Sequence, residues 1–402
     1  MVQVAVLGYG TIGSGVVEVL ETNKNSIAKR AGKEIVVKYV LDLRDFPGSP
    51  IEDRLVHDYT TILNDMDVDV IVETMGGTNP AYTFVKQALE AGKSVCTSNK
   101  ELVAKYGPEL LQIAKEKQVN FFFEASVGGG IPIIRPLNHC LTGDEIVEIT
   151  GILNGTTNYM LTKMAKEGSS FDAVLKEAQD LGYAERNPSA DVDGFDACRK
   201  IAILSSLAFG QNVNFEDIYT EGITKITDLD FMYAKKMGTS IKLFGTSRVE
   251  NGAYFASVSP VMISAEHPLF SVDGVLNGVL VRGNMVGDVM FFGSGAGKLP
   301  TASAVVADVV EAVRHLHDTV ETIWDAKTLE LAPMEEATNQ FFVRVKNTEA
   351  DKVAEIFGEV DKITVEQLPD EFAFVTKQMT EAQFADAAGA LDGMLSRIRV
   401  SL

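Results

Sequence analysis

Residues Val4–Gly15 read VAVLGYGTIGSG, and this stretch decides how the first third of the chain is built. Gly8, Gly10 and Gly13 stand in G-x-G-x-x-G spacing, directly after the apolar run Val2–Leu7 and just before helical spacing over Ile12–Leu20. The glycine pattern alone is common; strand, glycine turn and helix in that order give it meaning. Gly8 permits the tight turn, Gly10 lets the backbone approach a pyrophosphate, and Gly13 allows helix and strand to pack closely. The N–H groups of the first helical turn, around Thr11 and Ile12, then face phosphate at the positive end of the helix dipole. The segment reads as a dinucleotide site.

The pattern continues outward from this motif. Ile35–Leu41 and Asp69–Glu73 are further β-branched runs, and Gly76–Pro80 reads as a turn, an N-cap and a proline in a first helical turn, opening a helix that ends near Gly92. Lys93–Thr97 reads as a strand, Glu101–Lys117 as a helix and Val119–Glu124 as a buried strand. Strands alternating with helices of this length predict a parallel, doubly wound sheet, an α/β Rossmann-type nucleotide-binding domain over residues 1–134.

After Gly130 the rhythm changes. A strand over Glu145–Leu153, helices over Thr156–Lys166, 171–182 and Asp193–Phe209, and glycine-broken strands across 240–292 predict a mixed α+β catalytic and dimerisation domain over 135–300. Ser303–His317 reads as a helix with small residues on one side, within a segment (about 301–330) that returns to the first domain. A linker at 333–338 precedes strands at 341–345, 363–368, 372–376 and 396–402 and helices at Glu349–Phe357 and Glu381–Leu391. That βαββαβ order over 336–402 predicts a ferredoxin-like unit.

Composition narrows the function classes. With 402 residues the chain is too long for one ordinary core. A net charge of −20 argues against nucleic acid and anionic membrane surfaces as partners, and its plain reading is solubility. The N-terminus opens on a strand pattern, no run of about 18 apolar residues occurs, and Cys96, Cys140 and Cys198 are sparse and far apart, which together predict a cytoplasmic protein with reduced thiols. The five histidines form no H-x-x-x-H pair, so no zinc site is expected. Gly297-Lys298 superficially suggests a phosphate loop, but Phe292 and Leu299 break that pattern.

Two residues compete over the choice of cofactor. Asp42, at the end of the second strand, suits the ribose 2′-hydroxyl of NAD, whereas Arg44 suits the 2′-phosphate of NADP. The sequence leaves both open.

Chemistry concentrates in Gly182–Lys200, GYAERNPSADVDGFDACRK. If a helix starts at Asp193, Asp196 and Lys200 share one of its faces. A solvated ion pair is the plain reading. The chemical reading is that reduction of an aldehyde leaves an alkoxide that needs a proton, which a lysine held by a carboxylate supplies. Further carboxylates suit a substrate ammonium group. Cys198 lies between the two residues and reads as a small packing residue; a reactive cysteine there would instead suit an aldehyde-acylating enzyme. A nicotinamide-sensing regulatory protein is the third alternative, although a sensor would not need this acidic segment.

This segment resembles the signature of homoserine dehydrogenases. Four other stretches are similar to further motifs of that family, in the expected order: TSNKELVA (Thr97–Ala104), EASVGGGIP (Glu124–Pro132), ILNGTTNYM (Ile152–Met160) and GSGAGKLPTASAVVAD (Gly293–Asp308). The resemblance covers roughly residues 1–330. It implies an NAD(P)-dependent conversion between homoserine and aspartate 4-semialdehyde on the route to threonine and methionine. It implies Lys200 as acid/base, Glu185 as the homoserine ligand with Asp191 and Asp196 nearby, and Asp196 orienting the reacting end. Lys100 would lie near nicotinamide and substrate; as a plain helix-start lysine it would oppose the helix dipole. Asn154, Gly155 and Thr156 would line the substrate pocket, although Gly155-Thr156 also reads simply as a strand-to-helix turn. Gly295 would touch the cofactor. Glu124, Val127, Gly129 and Ile131 would form a structural sodium-type site, a carboxylate plus carbonyls suiting a hard cation. Ser294 stands where the family often has proline. A homodimer through the middle-domain strands is implied, which the tail could extend to a tetramer.

The tail resembles an ACT domain, which implies threonine as a possible effector. Its turn after the first strand is Asn347-Thr348-Glu349-Ala350, without the usual proline and glycine. Effector binding and a structural role therefore both stand.

Overall fold

The computed structural model describes all 402 residues, Met1–Leu402. They divide into two compact units: Met1–Glu145, Ala202–Phe215 and Phe291–Leu329 form the first, and Ile146–Ile201, Glu216–Met290 and Glu330–Leu402 the second. Residues 336–402 thus share a unit with most of 146–290.

The first unit is built on β1 (Val2–Leu7), β2 (Ile35–Leu41), β3 (Leu55–Val56), β4 (Val68–Glu73), β5 (Ser94–Thr97) and β6 (Phe121–Phe122). They form one sheet in the order β3-β2-β1-β4-β5-β6, and every pair is parallel. This is the doubly wound order, reversing next to β1, where such sheets take their ligands. β1, β4 and β5 are buried almost throughout, as strands covered on both faces must be. The covering helices are α1 (Thr11–Thr22), α2 (Lys24–Ala31), α3 (Tyr59–Leu63), α4 (Ala81–Glu90) and α5 (Lys100–Lys117).

The second unit continues with β7 (Ile146–Ile152), α6 (Gly155–Glu167), α7 (Phe171–Asp180), α8 (Ser189–Val192) and α9 (Phe195–Phe209). The last residues of α9, and β8 (Gln211–Asn212) after it, belong to the first unit. Then come β9 (Tyr219–Thr220), α10 (Asp228–Met237), β10 (Thr239–Glu250), β11 (Ala253–Ser264), β12 (Leu276–Gly283) and β13 (Gly287–Ser294). The chain returns to the first unit at Phe291, within β13, and continues there with α11 (Lys298–Arg314) and β14 (Asp325–Thr328), which pairs with β8. A Cβ on Gly15 would stand 2.9 Å from the Lys298 carbonyl oxygen and 3.0 Å from the Ala302 Cβ, so the small residues of α1 and α11 serve their close approach.

The tail comprises β15 (Thr338–Lys346), α12 (Ala350–Phe357), β16 (Glu371–Val375), β17 (Met379–Thr380), α13 (Glu381–Gly389) and β18 (Met394–Ser401). The second sheet runs β13-β12-β7-β10-β11-β18-β15-β16, so the tail strands extend the sheet begun by β7. β18 pairs in parallel with β11, while β15 is antiparallel to both β18 and β16. No helix is long and apolar enough to cross a membrane.

Several sequence expectations need correcting. The strand expected over 119–124 shrinks to Phe121–Phe122, because the Glu124 carboxylate gathers the N–H groups of Ile133, Ile134 and Arg135 and the chain must turn there. The strand expected at 363–368 reduces to one bridge between Ile363 and Ala373; the Leu368 N–H donates to the Val365 carbonyl at 2.9 Å, closing a turn before Pro369. Pro80 is the N-cap of α4 rather than part of its first turn. Asp193 ends α8, and the helix carrying Asp196 and Lys200 begins at Phe195. The return helix stops at Arg314, so 301–330 is only partly helical.

Candidate active site

The glycine loop has the geometry its spacing requires. Gly8 takes φ +94°, a region costly for any side chain. A Cβ on Gly13 would stand 1.8 Å from the Gly8 carbonyl oxygen, so only glycine lets α1 start against β1. Gly10 is the N-cap of α1, and a Cβ there would meet nothing within 4 Å, which leaves that side open to a ligand. Thr11 is the first residue of α1 and is exposed, while Ile12 packs against the core. Gly8 and Gly10 border a cavity of about 540 Å³ whose wall also includes Asp42, Arg44, His57 and Met75.

Asp42 and Arg44, read from sequence as rivals, are bound to each other. The Arg44 Nε and Nη2 donate to the two Asp42 carboxylate oxygens, both at 2.9 Å. Asp42 also accepts the N–H groups of Arg44 at 3.0 Å and Tyr9 at 2.8 Å. The hydrogen-bonded Arg44 guanidinium holds the Asp42 carboxyl far below its ordinary range. His57 reaches the same turn through its Nδ1, 2.7 Å from the Asp42 carbonyl oxygen.

One residue of this site escaped sequence reading. Glu73, at the end of β4, is fully buried and accepts hydrogen bonds from Thr97 Oγ1 at 2.6 Å and the Met75 N–H at 2.7 Å. Asn99 caps α5 by accepting the Leu102 N–H at 3.1 Å and donates to the Gly77 carbonyl at 2.6 Å. These contacts tie the loops after β4 and β5 together and fix Lys100, half-buried at the first position of α5. Burial raises the Glu73 carboxyl above its ordinary value despite these hydrogen bonds. A glutamate closing a β-branched strand carries no sequence signal beyond its position.

In the second unit, Asn154 organises the residues expected to meet substrate. Its Nδ2 donates to Asp191 Oδ1 at 2.7 Å and to Asp196 Oδ2 at 2.8 Å, while its Oδ1 accepts the Thr157 N–H at 2.8 Å and so caps α6. Lys200 Nζ donates to Asp196 Oδ2 and to the Leu153 carbonyl, both at 2.8 Å. The Asp196 and Lys200 side chains are 6% and 12% exposed, which rules out the solvated surface pair. An ion pair this buried is retained when the surrounding hydrogen bonds satisfy both ions, as they do here. Gly155 is required by contact, since a Cβ would stand 2.8 Å from the Val275 carbonyl oxygen. Thr156 Oγ1 donates to the Tyr183 carbonyl at 2.6 Å. Glu185 is not part of this network: it is exposed, and only its carbonyl is engaged, by Gln179 at 3.1 Å.

The loop after β6 is buried. The Glu124 carboxylate accepts three backbone N–H groups at 2.6–2.8 Å, and its own N–H donates to Asp308 at 2.8 Å. Arg135 pairs with the other Asp308 oxygen. Gly128 and Gly129 take φ +74° and +55°, and a Cβ on Gly129 would stand 2.4 Å from the Gly295 carbonyl oxygen. Gly295 is therefore buried against this loop. The carbonyls of Val127, Gly129 and Ile131 accept no backbone N–H, and all three residues are buried within seven positions of Glu124. That donor set fits a hard monovalent cation.

Comparison with known proteins covers both units. The family model described as homoserine dehydrogenase matches residues 132–310, and that described as homoserine dehydrogenase, NAD binding domain, matches residues 8–124. The homoserine dehydrogenase of Neisseria gonorrhoeae is 38% identical, over 98% of this chain and 95% of its own length. That of Synechocystis is 47% identical over 78% of this chain and 73% of its own. The crystal structure of a homoserine dehydrogenase from Thiobacillus denitrificans has a TM-score of 0.90 at 37% identity, covering 100% of this chain and 98% of that one. A hyperthermophilic archaeal homoserine dehydrogenase in complex with NADPH has a TM-score of 0.67 at 30% identity, covering 77% of this chain and 97% of that one.

Proposed function

This chain belongs to the homoserine dehydrogenase family, and we propose that it interconverts L-homoserine and L-aspartate 4-semialdehyde reversibly with NAD(P). The observation that carries the reading is the Asn154 amide joining Asp191 to Asp196, with Lys200 held on Asp196. In this reading the carboxylates receive the ammonium end of the amino alcohol, and Asp196 keeps the Lys200 amine aimed at the reacting oxygen. Lys200 takes the hydroxyl proton during oxidation and returns it during reduction. A bound nicotinamide supplies the chemistry of accepting or delivering the hydride. Gly8, Gly10, Thr11, Ile12 and Gly13 would hold its pyrophosphate, and Asp42 with Arg44 its ribose. Lys100 and Gly295 belong to the same reading as groups near the cofactor, and Glu185 as a homoserine ligand recruited from its exposed loop.

The reading extends to features that the motif resemblance implies. Glu124, Val127, Gly129 and Ile131 would hold a structural sodium ion. The strands of the second unit would form a homodimer interface, and the tail, as an ACT-like module, would extend it to a tetramer or bind threonine. The enzyme would work in the cytoplasm.

The test is semialdehyde-dependent oxidation of NADPH and NADH by purified protein, side by side, with and without threonine. Oxidation of either cofactor is expected. Folded protein that binds dinucleotide yet turns over no semialdehyde would overturn the reading. Inhibition by threonine would make the tail a sensor, and no effect would leave it structural.

A further inference from the structure

The turn that carries the two substrate carboxylates is shaped by residues outside it. Asp191 and Asp196 are joined by residues 192–195, in which Gly194 takes φ +88°. Gly222 lies flat against this turn: a Cβ there would stand 2.0 Å from the Val192 carbonyl oxygen and 2.5 Å from the Asp193 Cα. The Ile223 N–H donates to the same Val192 carbonyl at 2.8 Å. On the other side, a Cβ on Gly194 would meet Thr220 and Val258 at 3.2 and 3.1 Å. The 219–223 strap is therefore one wall of the turn.

The strap is fastened by the last strand of the chain. The Glu221 N–H donates to the Val258 carbonyl at 2.8 Å, and the Glu221 carboxylate accepts from Arg399 Nη1 at 2.8 Å and from the Tyr219 hydroxyl at 3.0 Å. Arg397 Nη2 stands 3.1 Å from the same oxygen. Arg399 is 4% exposed and also grips Glu381 through two hydrogen bonds at 2.6 and 2.9 Å. Burial would raise the Glu221 carboxyl, but Arg397 and Arg399 outweigh it and hold the group below its ordinary value. Charge-assisted bonds of this kind are short and directional, which suits them to fixing a backbone segment.

We infer that Glu221, clamped by Arg397 and Arg399, is a positioning residue for homoserine binding, acting through Gly222 on the Asp191–Asp196 turn. The inference rests on the proposed reaction and deepens it: the C-terminal strand sets substrate affinity whether or not the tail binds an effector. Loss of the clamp would loosen the turn between the two carboxylates and leave the Asn154 amide as the tie between them.

Steady-state oxidation of homoserine by full-length Glu221→Gln tests this, with Arg397→Gln as a milder variant at a quarter-exposed side chain. Phe384→Leu, in the separate core of the tail, serves as a control for lost stability. Glu221→Gln is expected to raise the homoserine KM about tenfold with the cofactor KM unchanged, since small misplacements in a site are amplified. Arg397→Gln should raise it less, Glu221→Asp should recover part of the loss, and Phe384→Leu should lower Tm without moving KM. An unchanged homoserine KM, a parallel rise in both KM values, or an equal rise in Phe384→Leu would overturn the inference. If Glu221→Gln does not fold, an unchanged KM in Arg397→Gln overturns it. Hydrogen exchange of the 190–197 amides gives a readout free of the reaction: it should quicken in the Glu221 or Arg397 variants and not in Phe384→Leu. Unaltered exchange sinks the positioning role even if wild-type protein proves inactive on homoserine, a result that by itself would sink only the proposed reaction.

Discussion

The two candidate sites are built by opposite means. The dinucleotide site is mostly backbone: a glycine turn and a helix start written into one stretch of twelve residues, Val4–Gly15, with the loops after β4 and β5 beside them. The substrate site is mostly side chain: Asn154 from the start of α6, Asp191 from α8, and Asp196 with Lys200 from α9. A backbone site tolerates change in side chains but not in space. A side-chain network tolerates small changes in space but not in chemistry. Each site should therefore break under a different kind of substitution.

The largest effect belongs to chemistry. Lys200→Met keeps most of the length of the side chain and removes its ionisable amine, so kcat should fall on the order of a thousandfold, within the range of acid–base catalysis. Cofactor affinity, measured by fluorescence titration, should be unchanged. Residual kcat within about tenfold of wild type would remove Lys200 from the acid/base role.

Space comes next. Gly13→Ala puts a methyl group 1.8 Å from the Gly8 carbonyl oxygen, where no flexible side chain can yield. Dinucleotide affinity should drop about a hundredfold, as expected when a binding backbone moves by an ångström. The same change at Gly10 meets open space, so Gly10→Ala should fold normally and weaken binding only through contact with the ligand. Equal folding defects in both variants would contradict this reading of the turn.

The same contrast explains what could be read from the sequence. The first sheet was legible because parallel strands buried on both faces leave continuous apolar runs, and β1, β2 and β4 fall where those runs predict. The candidate substrate residues stand in the sequence only as a list, and their joining is not legible there. Asn154 and Asp191 are thirty-seven positions apart, and nothing local reveals that one amide bridges two carboxylates. Asp193 looked like a helix start because an acid followed by glycine is a common cap; the structure uses it to end α8. The expected strand at 363–368 failed for a similar reason, its apolar alternation being overridden by the turn before Pro369. Glu185 shows the converse: its motif resemblance marks it for substrate, while its side chain stands exposed outside the network.

Cofactor choice sharpens the comparison at the edge of the backbone site, where side chains take over. Arg44 occupies both oxygens of Asp42 and is itself largely exposed. Arg44→Ala frees the carboxylate to bind a ribose 2′-hydroxyl and removes a cation that would meet a 2′-phosphate. The ratio of kcat/KM for NADPH over NADH should fall about tenfold, the size of one hydrogen bond to a charged group. An unchanged ratio would show that neither residue contacts the ribose.

The smallest effect concerns a buried carboxyl on which the backbone site leans. Glu73 is held above its ordinary value of 4.5, with burial as the main cause and the hydrogen bonds from Thr97, Met75 and Gly76 opposing it. An acid whose folded value is raised binds its proton more tightly in the native state. Its contribution to stability is therefore full below the unfolded value and declines as pH rises through the folded one. Glu73→Gln has nothing to ionise and keeps one oxygen to accept from Thr97 or Met75. Tm of the variant relative to wild type should rise with pH across the window just above the ordinary carboxylate range, and the two curves should run parallel below it. A difference that shrinks with rising pH would mean that the three hydrogen bonds outweigh burial, and that the loops after β4 and β5 are held by a carboxylate anion. Either way the pH at which the curves part identifies the protonation state that supports the cofactor loop and Lys100, a property the backbone motif at Gly8–Gly13 cannot confer by itself.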